Sequence, residues 1–506
     1  MAKDTEKFAG GSKEIAVPLD KFSHKFYTEY AMATLEDRAI GDFRDSFKPV
    51  HRRVLQSAYE MGINHKAKLV KSARVVGDTL GRFHPHGDVS CYEAAVGLAN
   101  RWQQMPLIEG DGNWGSLTDN KYAAHRYTEM RLSKFADAVL FDRFYQVPTA
   151  VTYVPNYDGS GKEPLVLPAL LPLALINGMF GIATGAATNV PAFEYKTVLK
   201  VLKAIYEGQE IEPKFLYQNL RIISTFGGQE RKLETKEEKS ARMDIFRTPK
   251  GKVTLWANPK YDEKKRTITA TRFPFSNMEK KLEQLTQEPE NKKKKNPLLE
   301  YIAEARDDSS KEDRYGVLTI VLKRTLTTKQ YEKAPKIIDA ALSASETFNQ
   351  NYTERYVDEE GQGQAKVKRM CVTDMLKAWV EWRIDLERKA CTYWIGEDDK
   401  EIRRLDLLSQ AVDLIDFIIS LLRNEKLDTN EVYAVYAKKA KCTDEEAKYV
   451  LNRPIITLRK LEKKALAAQR KQVVEHKEGL EKRRKKPAPF LAKQIEDFAK
   501  FIPKEA

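Results

Sequence analysis

From Met375 to Tyr393 the large apolar side chains recur at steps of three or four residues: Met375, Trp379, Trp382, Leu386, Ala390, Tyr393. That spacing keeps one face of an α-helix apolar, and Val412, Ile415, Ile419 and Leu422 prolong it beyond Gly396. A second stretch, Ile455 to Arg484, presents Leu458, Leu461, Ala465 and Ala468 and stops at Lys486-Pro487-Ala-Pro489, where proline cannot continue a helix. Two long stripes separated by a short insert, Asn424 to Arg453, bury each other if the chain doubles back. An antiparallel helical pair with a small globular tip is therefore expected. A tip that must bury its own apolar face predicts self-association.

The remainder is too long for a single core. At 506 residues the chain divides into about two to four domains. Lys and Arg number 87 against 73 Asp and Glu, and the net charge of +14 favours a polyanionic partner such as nucleic acid. Four scattered cysteines (Cys91, Cys371, Cys391, Cys442) with no CxxC pair argue against a disulfide scaffold and a zinc site, and fit a reducing cytoplasm. Met1 to Glu14 lacks the apolar core of a signal peptide. The longest apolar run, Pro164 to Ile176, holds three prolines and is too short to span a membrane.

Six of the seven histidines precede residue 126, which points to chemistry in the first quarter. Pro49 to Tyr59 reads as a helix opened by proline, with Val50, Val54 and Ala58 on one face and Arg52 and Arg53 on the other. A second helix, Lys71 to Leu80, ends at Gly81, and a third, Val89 to Trp102, starts after a capping Asp88. Two short helices about a glycine-containing turn form a helix-turn-helix candidate. From Leu140 to Phe246 the pattern is mixed α/β, with a helix over Lys196 to Tyr206. Strands follow over Lys252 to Phe273, where Val253 and Leu255, then Ile268, Ala270 and Arg272, alternate. The charged run Glu288 to Asn296 reads as a solvated loop.

His125-Arg126-Tyr127-Thr128 sets a phenol beside a guanidinium, with Thr128 placed to cap a following helix. Phosphoryl transfer needs an oxygen nucleophile and fixed positive charge on the non-bridging oxygens, and Tyr127 with Arg126 supplies both. His84-Pro85-His86-Gly87-Asp88, near Arg74 and Arg82, could bind metal, contact phosphate or shape a turn. Phosphate contact with one histidine aiding proton transfer is the preferred reading, because no carboxylate or thiol set completes a metal site nearby. Asn177 to Asn189 is glycine-spaced and permits close backbone approach, but is no P-loop. Within it, buried packing is the default for Ile182.

Laid in order, these stretches resemble the breakage-reunion subunit of type IIA topoisomerases: gyrase A, topoisomerase IV C subunits and phage-encoded subunits. The matching segments are Tyr30-Ala-Met-Ala, Arg44 to Leu55, Lys71 to Asp78, His84-Pro-His-Gly-Asp88, Glu109-Gly-Asp-Gly-Asn-Trp-Gly-Ser116, Arg126-Tyr-Thr-Glu129, Pro155-Asn-Tyr-Asp-Gly159 and Gly181 to Pro191. The resemblance implies an ATP-dependent isomerase that opens duplex DNA through 5′-phosphotyrosine links and passes a second duplex through the gap. It makes Tyr127 the nucleophile and Arg126 its phosphate-binding neighbour. Arg38, Lys48, His51, Arg53, His84 and His86 fall on positions that line the cleavage site, with Arg74 as a further DNA contact. Ile182 falls on the wedge that intercalates and bends the duplex, against its default reading. The fold implied is α+β and multidomain. After an N-terminal extension (1–25) come a winged-helix cleavage domain (26–150) and an α/β tower (151–345). A first coiled-coil arm (346–423), a globular dimerisation tip (424–453) and a returning arm with the C-terminal helix (454–506) complete it.

Neither a DxD-bearing TOPRIM cluster nor an ATPase loop is present in the sequence, so no metal ligand is expected in this chain. Mg²⁺ and ATP are expected on a partner subunit, which would join a homodimer of this chain in a heterotetramer or larger assembly on double-stranded DNA. That assembly is expected in the cytoplasm of a bacterium or a virus-infected host cell. Val89 stands where bacterial members usually carry the serine that supports quinolone binding. The chain stops just after the arm, without a wrapping propeller, so relaxation or decatenation is expected rather than supercoiling, as in short phage subunits. Two alternatives remain: an HUH-type tyrosine endonuclease with His84 and His86 as metal ligands, and a noncatalytic architectural DNA binder.

Overall fold

The computed structural model describes residues 7–9, 12–14, 18, 23, 26, 27, 30, 31, 34–100, 103–116, 121–183, 186–288, 295–310, 313–424, 427–454 and 463–502. It is a mixed α/β, multidomain architecture. Two compact units divide it: Met1–Gln146 with Val151–Arg383 and Leu491–Ala506, and Val147–Ala150 with Ile384–Phe490. No helix among the described residues is long and apolar enough to cross a membrane.

In the first unit, three helices pack on one another: α1 (Pro49–Glu60), α2 (Ser72–Arg82) and α3 (Asp88–Ala99). Proline opens α1, and Val54, Leu55 and Ala58 are fully buried along it. Arg52, expected on an outer face, is instead only 3% exposed, because buried Asp45 binds it at 2.8 and 3.0 Å and draws it inward. Helix α2 runs one residue past Gly81, and Asp88 is the first residue of α3 without capping it. A three-stranded antiparallel sheet adjoins them, with Glu129–Leu132 central between Val70–Lys71 and Ile108–Asp111. Thr128 therefore precedes a strand and caps no helix. The cause is the period of two, in which Met130 and Leu132 are buried while Glu129 and Arg131 face outward. The next helix, Lys134–Leu140, is capped by Ser133.

This unit also holds a seven-stranded antiparallel sheet, its longest pairing running from Lys250↔Asn349 to Trp256↔Ser343. A four-stranded sheet beside it buries Ile268, Ala270, Leu318 and Ile320, with Arg272 lying beyond its strand. Most of the Lys292 to Lys295 run lies outside the described residues.

The second unit is helical. Val372–Asp413 enters it at Ile384, and Ile415–Leu422, Thr429–Ala440, Asp444–Leu451 and Lys463–Lys485 follow. Asp399, Asp406 and Asp413 pair with Lys477, Arg470 and Lys463 at 2.6 to 2.8 Å. One series climbs in steps of seven while the other descends by seven, which is the register of two antiparallel helices. The apolar stripe of Lys463–Lys485 is Leu466, Val473 and Leu480, also at intervals of seven. Ala465 and Ala468, expected on that stripe, are exposed, since the larger leucines one register over bury more apolar area. Leu458 and Leu461 lie outside the described residues. The helix ends before Pro487, and the chain turns into Ala488–Phe498.

Charge pairing in this unit has two depths. Glu387 is fully buried and is met by Arg483, whereas the Asp406–Arg470 pair is exposed. Removing Arg483 takes the facing cation from a buried carboxylate and is expected to cost about 3 kcal/mol. Urea denaturation of Arg483→Ala and Arg470→Ala should therefore show a large midpoint drop for the first and a small, salt-sensitive one for the second. Equal drops would contradict this assignment.

Candidate nucleic-acid site

Tyr127 sits in a tight turn, its N–H donating to the Ala124 carbonyl at 2.9 Å, and its side chain is 64% exposed. The next residue, Thr128, is fully buried. Its hydroxyl meets Ser72 Oγ at 2.8 Å and the Tyr92 hydroxyl at 2.7 Å, so the turn is fastened to both α2 and α3. Backbone bonds add to the clamp: Ser72 N–H donates to Thr128 O at 3.0 Å and Ala73 N–H to His125 O at 3.2 Å. These N–H groups open α2, where a helix leaves its first donors unmatched. His125 Nε2 lies 3.2 Å from Asp88 Oδ2, tying the same turn to the start of α3. Trp114 packs 5.7 Å from Tyr92, and a Cβ at Gly110 would collide with its indole. Glycine there keeps the wall beneath the turn closed.

Arg126 extends over the Tyr127 ring, its guanidinium carbon 4.7 Å from the centroid, and remains exposed. A cation so placed favours charge developing on the phenol oxygen or on a phosphate brought to it.

Arg38, Arg53, His84 and His86 line one open cleft of about 580 Å³, together with Asn156, Tyr157 and Glu163. Glu163 grips Arg53 through both carboxylate oxygens, at 2.6 and 2.7 Å, and Arg53 Nη1 stands 3.1 Å from His84 Nδ1. A guanidinium only donates, so Nδ1 accepts and the proton of neutral His84 resides on Nε2. Burial, Arg53, His86 and Arg38 hold the His84 imidazole down to about 4. His84 thus offers a neutral N–H donor near pH 7, a role suited to a phosphate oxygen and unsuited to removing a proton. The His86 ring stacks on His84 at 4.5 Å.

Lys48 and His51 are brought together elsewhere, along a second cavity of about 250 Å³ with Phe180, Asn189 and Glu346. Burial lowers Lys48, and burial with Lys48 and Arg52 pushes His51 down to about 3. Arg74 is exposed on α2 with no ion-pair partner among the described residues, whereas Arg82 turns away to Glu60 and Asp78. Ile182 is 71% exposed, so its default reading as a packed residue is overturned.

The sequence profile for the A subunit of DNA gyrase/topoisomerase IV matches residues 38–498. The chain belongs to the DNA gyrase/topoisomerase IV A-subunit family. It is 31% identical over 416 residues to the DNA gyrase A subunit of Metamycoplasma arthritidis (strain 158L3-1), covering 81% of this chain and 44% of that one. It is 30% identical over 465 residues to the DNA topoisomerase 4 A subunit of Escherichia coli (strain K12), covering 92% and 58%. To the chloroplastic/mitochondrial DNA gyrase A subunit of Arabidopsis thaliana it is 30% identical over 460 residues, covering 89% and 45%. The chain spans about half the length of these gyrase and topoisomerase relatives.

Of the residues that shape this site, Glu163 was not singled out from sequence, and Asn156 and Tyr157 were quoted only within the Pro155 to Gly159 segment, with no role. Glu163 lies on a hairpin, Tyr153–Pro155 with Lys162–Pro164, far in sequence from Arg53. Asn156 and Tyr157 hold the His84 loop by donating to the Arg82 and Gly81 carbonyls at 2.7 and 3.2 Å. That segment forms a turn with Gly159 at φ 71°.

Thr128→Val should destabilise the chain by about 1–3 kcal/mol by leaving two buried hydroxyls short of a partner, which urea denaturation measures. The lowered histidines fix a pH dependence as well. The unfolded chain binds protons first as pH falls below 6.5, so stability falls with pH toward the folded values near 4 and 3. Imidazole NMR titrations should give midpoints below 5 for His84 and His51. Midpoints near 6.5 would contradict the burial described.

Proposed function

We propose that this chain is the DNA-cleaving and religating subunit of a type IIA topoisomerase, with Tyr127 as the nucleophile. The observation that carries the reading is an outward phenol on a clamped turn under the Arg126 guanidinium, within a chain of the gyrase/topoisomerase IV family. In this reading Tyr127 Oη attacks a DNA phosphorus, a tyrosyl–5′-phosphate bond forms, and the 3′ oxygen leaves with the electron pair of the broken bond. The phenol gives up its proton, and the 3′ oxygen regains one on completion. Reversal reseals the strand at no net cost in phosphodiester bonds, so ATP serves duplex passage rather than joining.

Arg126 places its charge where the equatorial phosphate oxygens gain it. His84 Nε2–H and Arg38 supply donors to the backbone phosphates of the bound duplex, and Arg53, already committed to Glu163, acts by orienting His84. Lys48, His51 and Arg74 are further phosphate contacts, and Ile182 is the wedge that opens a base step. The helix-rich first part and its small sheet would be the winged-helix cleavage domain, the two larger sheets the tower, and the helical second unit the coiled-coil arm with a dimerising tip. Exposed Val435 and Leu422 near that tip suit a self-contact.

Mg²⁺ and ATP belong, in this reading, to a partner subunit with which a dimer of this chain forms a heterotetramer. Among the described residues no three His, Cys, Asp or Glu side chains gather to hold a metal ion.

With a TOPRIM- and ATPase-bearing partner, Tyr127→Phe should abolish relaxation of supercoiled DNA while duplex affinity stays within about twofold. Arg126→Ala should slow cleavage by about 10²-fold or more with little loss of affinity. Undiminished relaxation by Tyr127→Phe would refute the nucleophile, and equal losses of cleavage and affinity would reduce Arg126 to a binding residue.

A further inference from the structure

Met179–Ala183 and Ala186–Val190 form an antiparallel hairpin in which Met179 faces Val190 and Gly181 faces Thr188. Successive side chains of a strand point to opposite sides. Met179 is buried, while Phe180 and Ile182 stand out together, 64% and 71% exposed. Single exposed apolar residues are ordinary, but three further observations set this pair apart.

First, the hairpin is anchored. A Cβ on Gly181 would lie 1.9 Å from the Ala39 carbonyl oxygen, so the strand lies directly against the short helix Leu35–Ala39. Second, basic side chains lie close to the hairpin: Arg38 is exposed on that helix, and Phe180 borders the cavity that Lys48 lines. Third, same-face neighbours on a strand are ~6.7 Å apart, about two base-pair rises of roughly 3.4 Å each. Two apolar groups on a rigid base, with cations to receive phosphates, suit a DNA duplex better than an apolar protein face.

We propose that Phe180 is a second member of the DNA-deforming wedge. Ile182 enters a base step, and Phe180 lies against the sugars and base edges beside it, holding the groove open. The inference rests on the duplex-binding reading and on Ile182 as the wedge, and it adds a residue that sets how readily a given sequence is deformed. Sites with easily unstacked steps would depend on Phe180 less than stiff ones.

The test uses the full chain and a 30-base-pair duplex carrying a dye at each end and 2-aminopurine at the central step. The wild-type chain should shorten the end-to-end distance and raise 2-aminopurine fluorescence. Phe180→Ala should weaken binding about tenfold and lessen both signals, with Phe180→Leu in between. A duplex with a central mismatch, already cheap to unstack, should restore Phe180→Ala binding to within about twofold of wild type. A merely structural role would not respond to the mismatch, and an unchanged melting temperature verifies folding. If Phe180→Ala bends the duplex like wild type while Ile182→Ala does not, Phe180 is no part of the wedge. If the wild-type chain itself neither binds nor bends the duplex, the DNA reading falls along with it.

Discussion

The buried hydroxyl of Thr128 is the point on which the site depends. Between Ser72 and Tyr92 it joins the second and third helices to the turn that carries Tyr127. Thr128 is held inside while Tyr127, the residue before it, faces out. Arg126 lies over the Tyr127 ring, and His125 lies beside Asp88. The proposed nucleophile sits on a loop that backbone bonds from Ser72 and Ala73 hold in place. Orientation set during folding is free-energy cost already met before a substrate arrives.

Around that turn, positive charge is sorted by depth. Arg52 is spent on buried Asp45 and holds the fold, whereas Arg53, largely committed to Glu163, sets the tautomer of His84. Arg38, Arg74 and Arg126 remain at the surface. The lowered imidazoles of His84 and His51 keep those positions neutral, which limits cation–cation repulsion among so many basic groups. A cleft that combines outward cations with neutral N–H donors is suited to a backbone of phosphates.

Much of this was legible in the residues themselves. Pro49 and the spacing of Val54 and Ala58 define the first helix, and the stripe from Met375 foretells the long helix Val372–Asp413, whereas the second stripe was read in the wrong register. The ordered motifs carry the family. What escaped sequence reading depends on contacts between distant segments. Arg52 and Arg53 are adjacent and alike in sequence, and only Asp45 and Glu163 divide them into a buried and a cleft residue. Thr128 looks like a helix cap because its hydroxyl suits one, but the alternation from Glu129 to Leu132 makes a strand follow. Ile182 looks like core until the two-residue repeat turns it outward, with Gly181 pressed on Ala39. The one-residue shift from Ala465 to Leu466 shows that apolar volume decides register where small and large residues alternate.

The central claim is that the exposed phenol of Tyr127 becomes bonded to DNA. The most direct measurement is to incubate the chain with labelled duplex, Mg²⁺ and a TOPRIM-bearing partner, denature the mixture with detergent, and locate the modified peptide by mass spectrometry. The account requires a 5′-phosphate adduct on Tyr127, absent from Tyr127→Phe. An adduct on another residue, or none despite tight binding, would contradict it and leave an architectural DNA binder in its place.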